Sequence, residues 1–251
     1  MKIVVIGGTG MIGSKLIHKL TQETAHTIVP ASPQYGINTV TGEGLDEVLE
    51  GAQVIVDVSN SPSIIDKEAI AFFEKSTINI SAAARRAGVK HYVALSIVGA
   101  DRLPDSDYLA AKYIQEELVC HSGIPHTILR STQFFEFTDR IAMAATTGAE
   151  VHISPAPVQP IAADETVAAL AEIAINAPQN KMIEVAGPVA MPMYELIRYY
   201  LDEIEDSRQL IQDHHALYFG TELTDQSLLP GPEARLGKIK YEDWFQKQTA
   251  V

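Results

Sequence analysis

Ile3-Val4-Val5-Ile6-Gly7-Gly8-Thr9-Gly10-Met11-Ile12-Gly13 is the stretch that decides the fold of this 251-residue chain. Four β-branched residues in a row form the continuous apolar run of a strand buried on both faces, the usual state of a strand in a parallel sheet. Glycines 7, 10 and 13 then make a G-x-x-G-x-x-G turn into an amphipathic helix, Met11 to Leu20. Gly7 permits the tight turn, Gly10 lets the backbone approach a pyrophosphate, and Gly13 allows close packing of the helix. The helix N-terminus offers N–H groups and a partial positive charge to phosphates. A glycine triplet alone is weak evidence, and a purely structural turn competes with a binding loop. Its place between an N-terminal buried strand and a helix favours a dinucleotide site, with Gly7, Thr9, Gly10, Met11, Ile12 and Gly13 as cofactor contacts.

Outward from this unit, strands and helices alternate. Thr27 to Ala31 and Ile37 to Val40 read as strands, Leu45 to Leu49 as a brief helix, and Val54 to Val58 as another buried strand. Ile65 to Ala87 has helical periodicity and stops at Gly88. Tyr92 to Leu95 is a strand, Asp107 to His121 a helix, and Thr127 to Leu129 a strand. The expected architecture is an α/β doubly wound parallel sheet. One NAD(P)-binding domain is expected over residues 1–251, with a core of about 1–137 and a small C-terminal substrate lobe of about 138–251. In the second half two helices, Asp164 to Ile175 and Met193 to Glu203, flank a strand at Met182 to Val185, and prolines punctuate short extended pieces.

The composition narrows the function. Hydrophobic residues make up 46% and charged residues 20%, as in ordinary globular proteins. A net charge of −13 disfavours nucleic acid and anionic membrane surfaces. The lone Cys120 cannot form an internal disulfide, suits a reducing cytoplasm, and is expected to pack in its helix. No secretory signal and no apolar stretch of roughly 20 residues is expected to direct the chain to a membrane. The eight histidines are scattered, so no metal site is expected. The expected partner is a small-molecule substrate; a homo-oligomer stays open.

Ligands of a doubly wound sheet bind beyond the carboxyl ends of its strands. The strand at Tyr92 ends at Ser96, and the next helix carries Tyr108 and Lys112, one turn apart on a single face. An ammonium beside the phenol would lower its pKa and let it exchange a proton with a carbonyl or alcohol. Ser96 would hold the same oxygen while a nicotinamide handles the hydride. The plainer alternative leaves Lys112 on the cofactor ribose and Tyr108 as packing.

These residues carry a resemblance. The glycine loop, Asn79 to His91, Leu95-Ser96-Ile97-Val98-Gly99, Tyr108-Leu109-Ala110-Ala111-Lys112 and Thr127 to Phe134 resemble the atypical short-chain dehydrogenase/reductases of the NmrA-like, NAD(P)-binding kind. The resemblance covers the first half well and the second half in outline. It implies a Rossmann core, an NAD(P) cofactor, and Ser96, Tyr108 and Lys112 in catalytic positions. It does not fix the reaction, since some relatives are reductases and others are sensors without turnover.

After strand two the chain reads Ala31-Ser32-Pro33-Gln34, with neither the acid that binds a ribose 2′-hydroxyl nor an arginine for a 2′-phosphate. The missing acid and Ser32 favour NADP, with NAD as the alternative. Asn60 should lie along the cofactor ribose, and Thr132, Gln133, Phe134 and Phe135 should border the substrate. Asn79 is the one candidate on its helix for a water-anchoring asparagine. Acidic pairs such as Glu116-Glu117 read as solvated faces. The expected function is an NAD(P)H-dependent oxidoreductase acting on a small carbonyl, quinone or similar apolar substrate. The alternatives are a redox sensor and a sugar-type epimerase or dehydratase.

Overall fold

A computed structural model describes residues 1–23, 25–62 and 68–249. In chain order the strands are β1 (Lys2–Ile6), β2 (Thr27–Ala31), β3 (Val54–Asp57), β4 (His91–Ile97), β5 (His126–Ser131), β6 (Thr146–Thr147), β7 (Glu150–Ile153), β8 (Pro157–Val158), β9 (Lys181–Ala186), β10 (Met191–Pro192), β11 (Gln209–Gln212) and β12 (Arg235–Leu236). The helices are α1 (Met11–Glu23), α2 (Leu45–Leu49), α3 (Glu68–Ala87), α4 (Asp107–Cys120), α5 (Thr138–Ala144), α6 (Ala163–Ile175), α7 (Met193–Glu203) and α8 (Tyr241–Thr249). The start expected for α3 at Ile65 lies outside the described residues.

Seven strands form one sheet in the order β12-β9-β5-β4-β3-β1-β2. Every pairing in it is parallel. Alternation along each strand sorts the side chains between two layers. Ile3, Val5, Val54, Val56, Val93 and Leu129 pack with α1 and α6 on one face. Val4, Ile6, Ile55, Tyr92, Ala94 and Ile128 pack with α2, α3 and α4 on the other. With helices on both faces, this is the Rossmann-like doubly wound α/β fold. The chain leaves β1 to one side for β2 and returns on its other side as β3, so the crevice for a ligand opens at the carboxyl end of β1.

One expected strand is absent. Ile37 to Val40 forms a turn in which Asn38 bridges only Glu43, between glycines 36 and 42 of positive φ. The Asn38 side chain accepts hydrogen bonds from the Val40 and Thr41 amides at 3.0 and 3.2 Å. That local turn competes with strand pairing and wins. The chain then re-enters the sheet through α2.

The second half divides by layer. α6 and β9 join the core on the sheet, while β6, β7 and β11 form a small separate sheet and β8 pairs with β10. These pieces, with α5, α7 and α8, enclose a further apolar cluster that includes Phe135, Leu196, Ile197 and Tyr241. Cys120, expected to pack, is exposed, because it ends α4 where the helix leaves the sheet.

Candidate cofactor and substrate site

A cavity of about 820 Å³ runs along the carboxyl ends of β1 to β5, within the size range of small-molecule sites. The glycine loop forms its floor. Gly7 sits at φ +81°, and a Cβ there would lie 2.8 Å from the Ser59 backbone, so the loop and the chain after β3 touch through glycine alone. A Cβ on Gly13 would come within 2.2 Å of the Gly7 carbonyl, which explains how α1 seats against its own loop. At Gly10 a Cβ would meet only the Gly7 carbonyl, at 3.4 Å, and its other side is open toward the cavity. Gly7, Thr9, Gly10, Met11 and Ile12 line the cavity; Gly13 stands behind it as a packing residue.

At the β2 end, Ser32 is buried and its Oγ has no hydrogen-bond partner among the described residues. Asn38, Thr39 and Val40 close this end. They are pinned by the Asn79 amide, which donates to the Thr39 and Val40 carbonyls, each at 2.9 Å. Asn79 therefore holds the loop and is not among the cavity-lining residues.

Ser96, Tyr108 and Lys112 all line the cavity, but not as one hydrogen-bonded triad. The Ser96 Oγ is buried and has no partner among the described residues. The Tyr108 hydroxyl donates to Asn60 Oδ1 at 3.1 Å, and its ring packs on Phe73 and Phe219. Lys112 turns toward the sheet: Nζ donates to the Leu95 carbonyl at 2.7 Å and to Gln115 Oε1, and lies 4.5 Å from the Phe73 ring centroid.

The expectation that Lys112 lowers the Tyr108 pKa is corrected by this geometry. Burial pushes the phenol up to about 12, while burial pulls the Lys112 ammonium down to about 8 despite the charges of Asp57 and Glu116. The ammonium is spent on the sheet, and the phenol sits in an aromatic pocket.

Asp57 explains why Lys112 points inward. This fully buried carboxylate ends β3 and accepts from the Ser59 amide at 3.0 Å and the Ser59 hydroxyl at 2.6 Å. It also accepts from Gln115 at 2.9 Å and from Tyr92 at 3.1 Å. A continuous chain of bonds thus runs from Lys112 through Gln115 and Asp57 to Ser59, which abuts Gly7. Glu116, expected on a solvated face, is also buried. It holds Arg130 in a bidentate pair at 2.8 and 2.6 Å that fastens α4 to β5.

The chain after β5 builds the far wall. Thr132, Gln133 and Phe134 line the cavity. Phe135 does not: it is buried against Tyr241 and Trp244, because the 3₁₀ turn over 135–137 carries it to the other side. Phe72, Phe137, Tyr218 and Phe219 complete an aromatic compartment beside Tyr108. Glu136 lines it too, its carboxylate accepting from the Ala163 amide at the start of α6, and burial raises its pKa.

Residues 7–163 match the family described as NAD(P)H-binding. The chain belongs to the NAD(P)H-binding family. Among its relatives, the (4-alkanoyl-5-oxo-2,5-dihydrofuran-3-yl)methyl phosphate reductase of Streptomyces griseus is 26% identical over 77% of this chain and 70% of its own. The photosystem II assembly factor Ycf39 of Synechocystis is 23% identical over 54% of this chain and 46% of its own. An NADPH-dependent quinone oxidoreductase from Escherichia coli, solved with NADPH, superposes with a TM-score of 0.66 at 21% identity over 84% of this chain and 77% of that one. A dTDP-4-dehydrorhamnose reductase from Bacillus anthracis, solved with NADP, superposes with a TM-score of 0.72 at 13% identity over 100% of this chain and 98% of that one. At these identities the structural likeness is one of fold.

The site fits the cofactor class of its family. The open face of Gly10 and the buried, unpartnered Ser32 hydroxyl are the two features that a bound dinucleotide would complete. Asp57, Gln115 and the aromatic pair Tyr218-Phe219 went unnoticed in the sequence. Asp57 had a visible signal, an acid ending a buried strand. Tyr218 and Phe219 had none, since they reach the site from a distant loop. Among the described residues no helix is long and apolar enough to cross a membrane.

Proposed function

We propose that the chain is an NAD(P)H-dependent oxidoreductase of the short-chain dehydrogenase/reductase type, acting on a small carbonyl, quinone or similar apolar substrate. The observation that carries this is an open cavity lined by the glycine loop, Ser96, Tyr108 and an aromatic wall. A regulator without turnover would need the cofactor groove but no proton donor at its wall.

When bound, the cofactor would supply the hydride. The glycine loop and the α1 N-terminus would hold its pyrophosphate, and Ser32 its adenosine ribose. NADP is preferred over NAD in this reading, because no acid among the described lining residues stands beside Ser32 to repel a 2′-phosphate. Lys112 lines the cavity with two of its three N–H donors on Leu95 and Gln115, and to reach a ribose hydroxyl the third would leave the Phe73 ring.

Ser96 and Tyr108 can both donate to the substrate oxygen, once Tyr108 exchanges Asn60 for it. A phenol held at about 12 stays protonated at neutral pH and acts as the acid that a carbonyl reduction requires. The aromatic wall excludes water and accepts an apolar body. The Streptomyces relative is named as a reductase and the Escherichia fold neighbour as a quinone oxidoreductase, which supports the reaction type.

The test is Tyr108→Phe, followed by NADPH oxidation with ketones, aldehydes and quinones. Turnover on ketones and aldehydes should fall by about 10²-fold or more, with NADPH affinity nearly unchanged. Full activity of the variant on those substrates would assign Tyr108 to packing.

A further inference from the structure

Arg140 is set apart from every other arginine of the chain. The sequence has eight arginines within a net charge of −13. Each of the other seven is bonded to a carboxylate or a backbone carbonyl. Arg140 has no such partner among the described residues, although acids outnumber cations throughout. Its guanidinium carbon lies 5.0 Å from the Phe137 ring centroid, a cation–π contact that orients the group without neutralising it.

Its position is equally specific. Arg140, which is exposed, lines the cavity with Ile141 and Ala144 from one face of α5, and Phe137 lines it from the turn just before the helix. Arg140 thus interrupts a stripe that is otherwise apolar. Of the two cations lining the cavity among the described residues, Lys112 has turned to the sheet, which leaves Arg140 as the one with its charge uncommitted. A planar guanidinium with unused donors is suited to a carboxylate or phosphate.

We propose that Arg140 binds an anionic substituent of the substrate, so that the site selects an oxo compound with an apolar body and one carboxylate or phosphate. This rests on the oxidoreductase reading and names the class of substrate within it. The aromatic compartment takes the body, Ser96 and Tyr108 take the reacting oxygen, and Arg140, stacked on Phe137, takes the acid. In so acidic a protein, an unpaired cation there also offsets the general repulsion of an anionic ligand.

The test is read by binding, so it does not depend on turnover. The full chain, saturated with NADPH, is titrated by calorimetry with phenyl phosphate, with benzoate and with neutral benzyl alcohol. The anions should bind about ten-fold more tightly than the alcohol, and added salt should erode the difference. Arg140→Gln should abolish the preference and leave alcohol binding and NADPH affinity unchanged; Arg140→Lys should restore part of it. Preference for one anion alone assigns the site to phosphate or to carboxylate. Equal binding of anions and alcohol by the parent would overturn the proposal. So would a loss of NADPH affinity in Arg140→Gln, which would give Arg140 to the cofactor phosphates. Anion preference without NADPH oxidation on any oxo compound would leave Arg140 as an anion site and remove the oxidoreductase reading.

Discussion

Lys112→Met removes a buried ammonium while keeping an unbranched side chain in its place. Lys112 is 5% exposed, and burial lowers its pKa from 10.5 to about 8. A lysine whose folded pKa is depressed costs stability wherever both forms would otherwise be charged, so the full cost is present below pH 8. As pH rises from about 8 toward 10.5, the folded chain has released the proton and the unfolded chain still holds it, and stability rises. The shift corresponds to about 3 kcal/mol in all, of which about 2 kcal/mol is regained between pH 8 and pH 10. Above pH 10 the buried tyrosines oppose this. Tyr92, Tyr108, Tyr218 and Tyr241 all have raised pKa values, so the unfolded chain ionises first and stability falls. Urea unfolding of parent and variant at pH 8 and pH 10, followed by circular dichroism, isolates Lys112, because every other group titrates in both proteins. The parent should gain about 2 kcal/mol relative to Lys112→Met over that interval. A stability difference independent of pH would refute the claim that the ammonium is desolvated. The lost bonds to Leu95 and Gln115 add a constant offset and leave the pH dependence untouched.

Gly10→Val should keep the fold, since its Cβ meets only the Gly7 carbonyl at 3.4 Å, and should lose NADPH binding by filling the space over the loop; equal affinity in a fluorescence titration would reassign the loop. Ser32→Asp should erase or reverse a preference for NADPH over NADH by placing a carboxylate against the 2′-phosphate, as calorimetry with both cofactors would show; a parent that already prefers NADH would contradict the role of Ser32. Glu116→Ala leaves the buried Arg130 with Asp101 alone and should cost about 3–5 kcal/mol in denaturant unfolding; a loss under about 1 kcal/mol would mean that the pair does little to hold α4 on β5.

The parallel sheet was legible in the apolar runs Ile3 to Ile6, Val54 to Val56 and Tyr92 to Leu95, because a strand buried on both faces is built mainly of apolar residues. The glycine loop was legible for the same local reason: a positive φ at Gly7 and the contact between Gly13 and Gly7 are demands that only glycine meets. Ser96, Tyr108 and Lys112 could be placed at one cavity from spacing and strand order. Their orientation could not. Lys112 turns from the phenol to the sheet because Asp57, 55 residues earlier, holds Gln115 in its path, and no local pattern encodes that bond. The same holds for Ile37 to Val40, where strand propensity lost to the Asn38 turn and to Asn79 across the fold. Phe134 and Phe135 are identical and adjacent in sequence, yet one lines the cavity and the other packs in the core, because the chain passes from extended backbone at Phe134 into a 3₁₀ turn at Phe135. Residue type and spacing determined which chemistry reaches the strand ends; the packing of distant segments decided which donors are spent, and that among the described residues Arg140 alone of the arginines has no hydrogen-bonded acceptor beside the cavity.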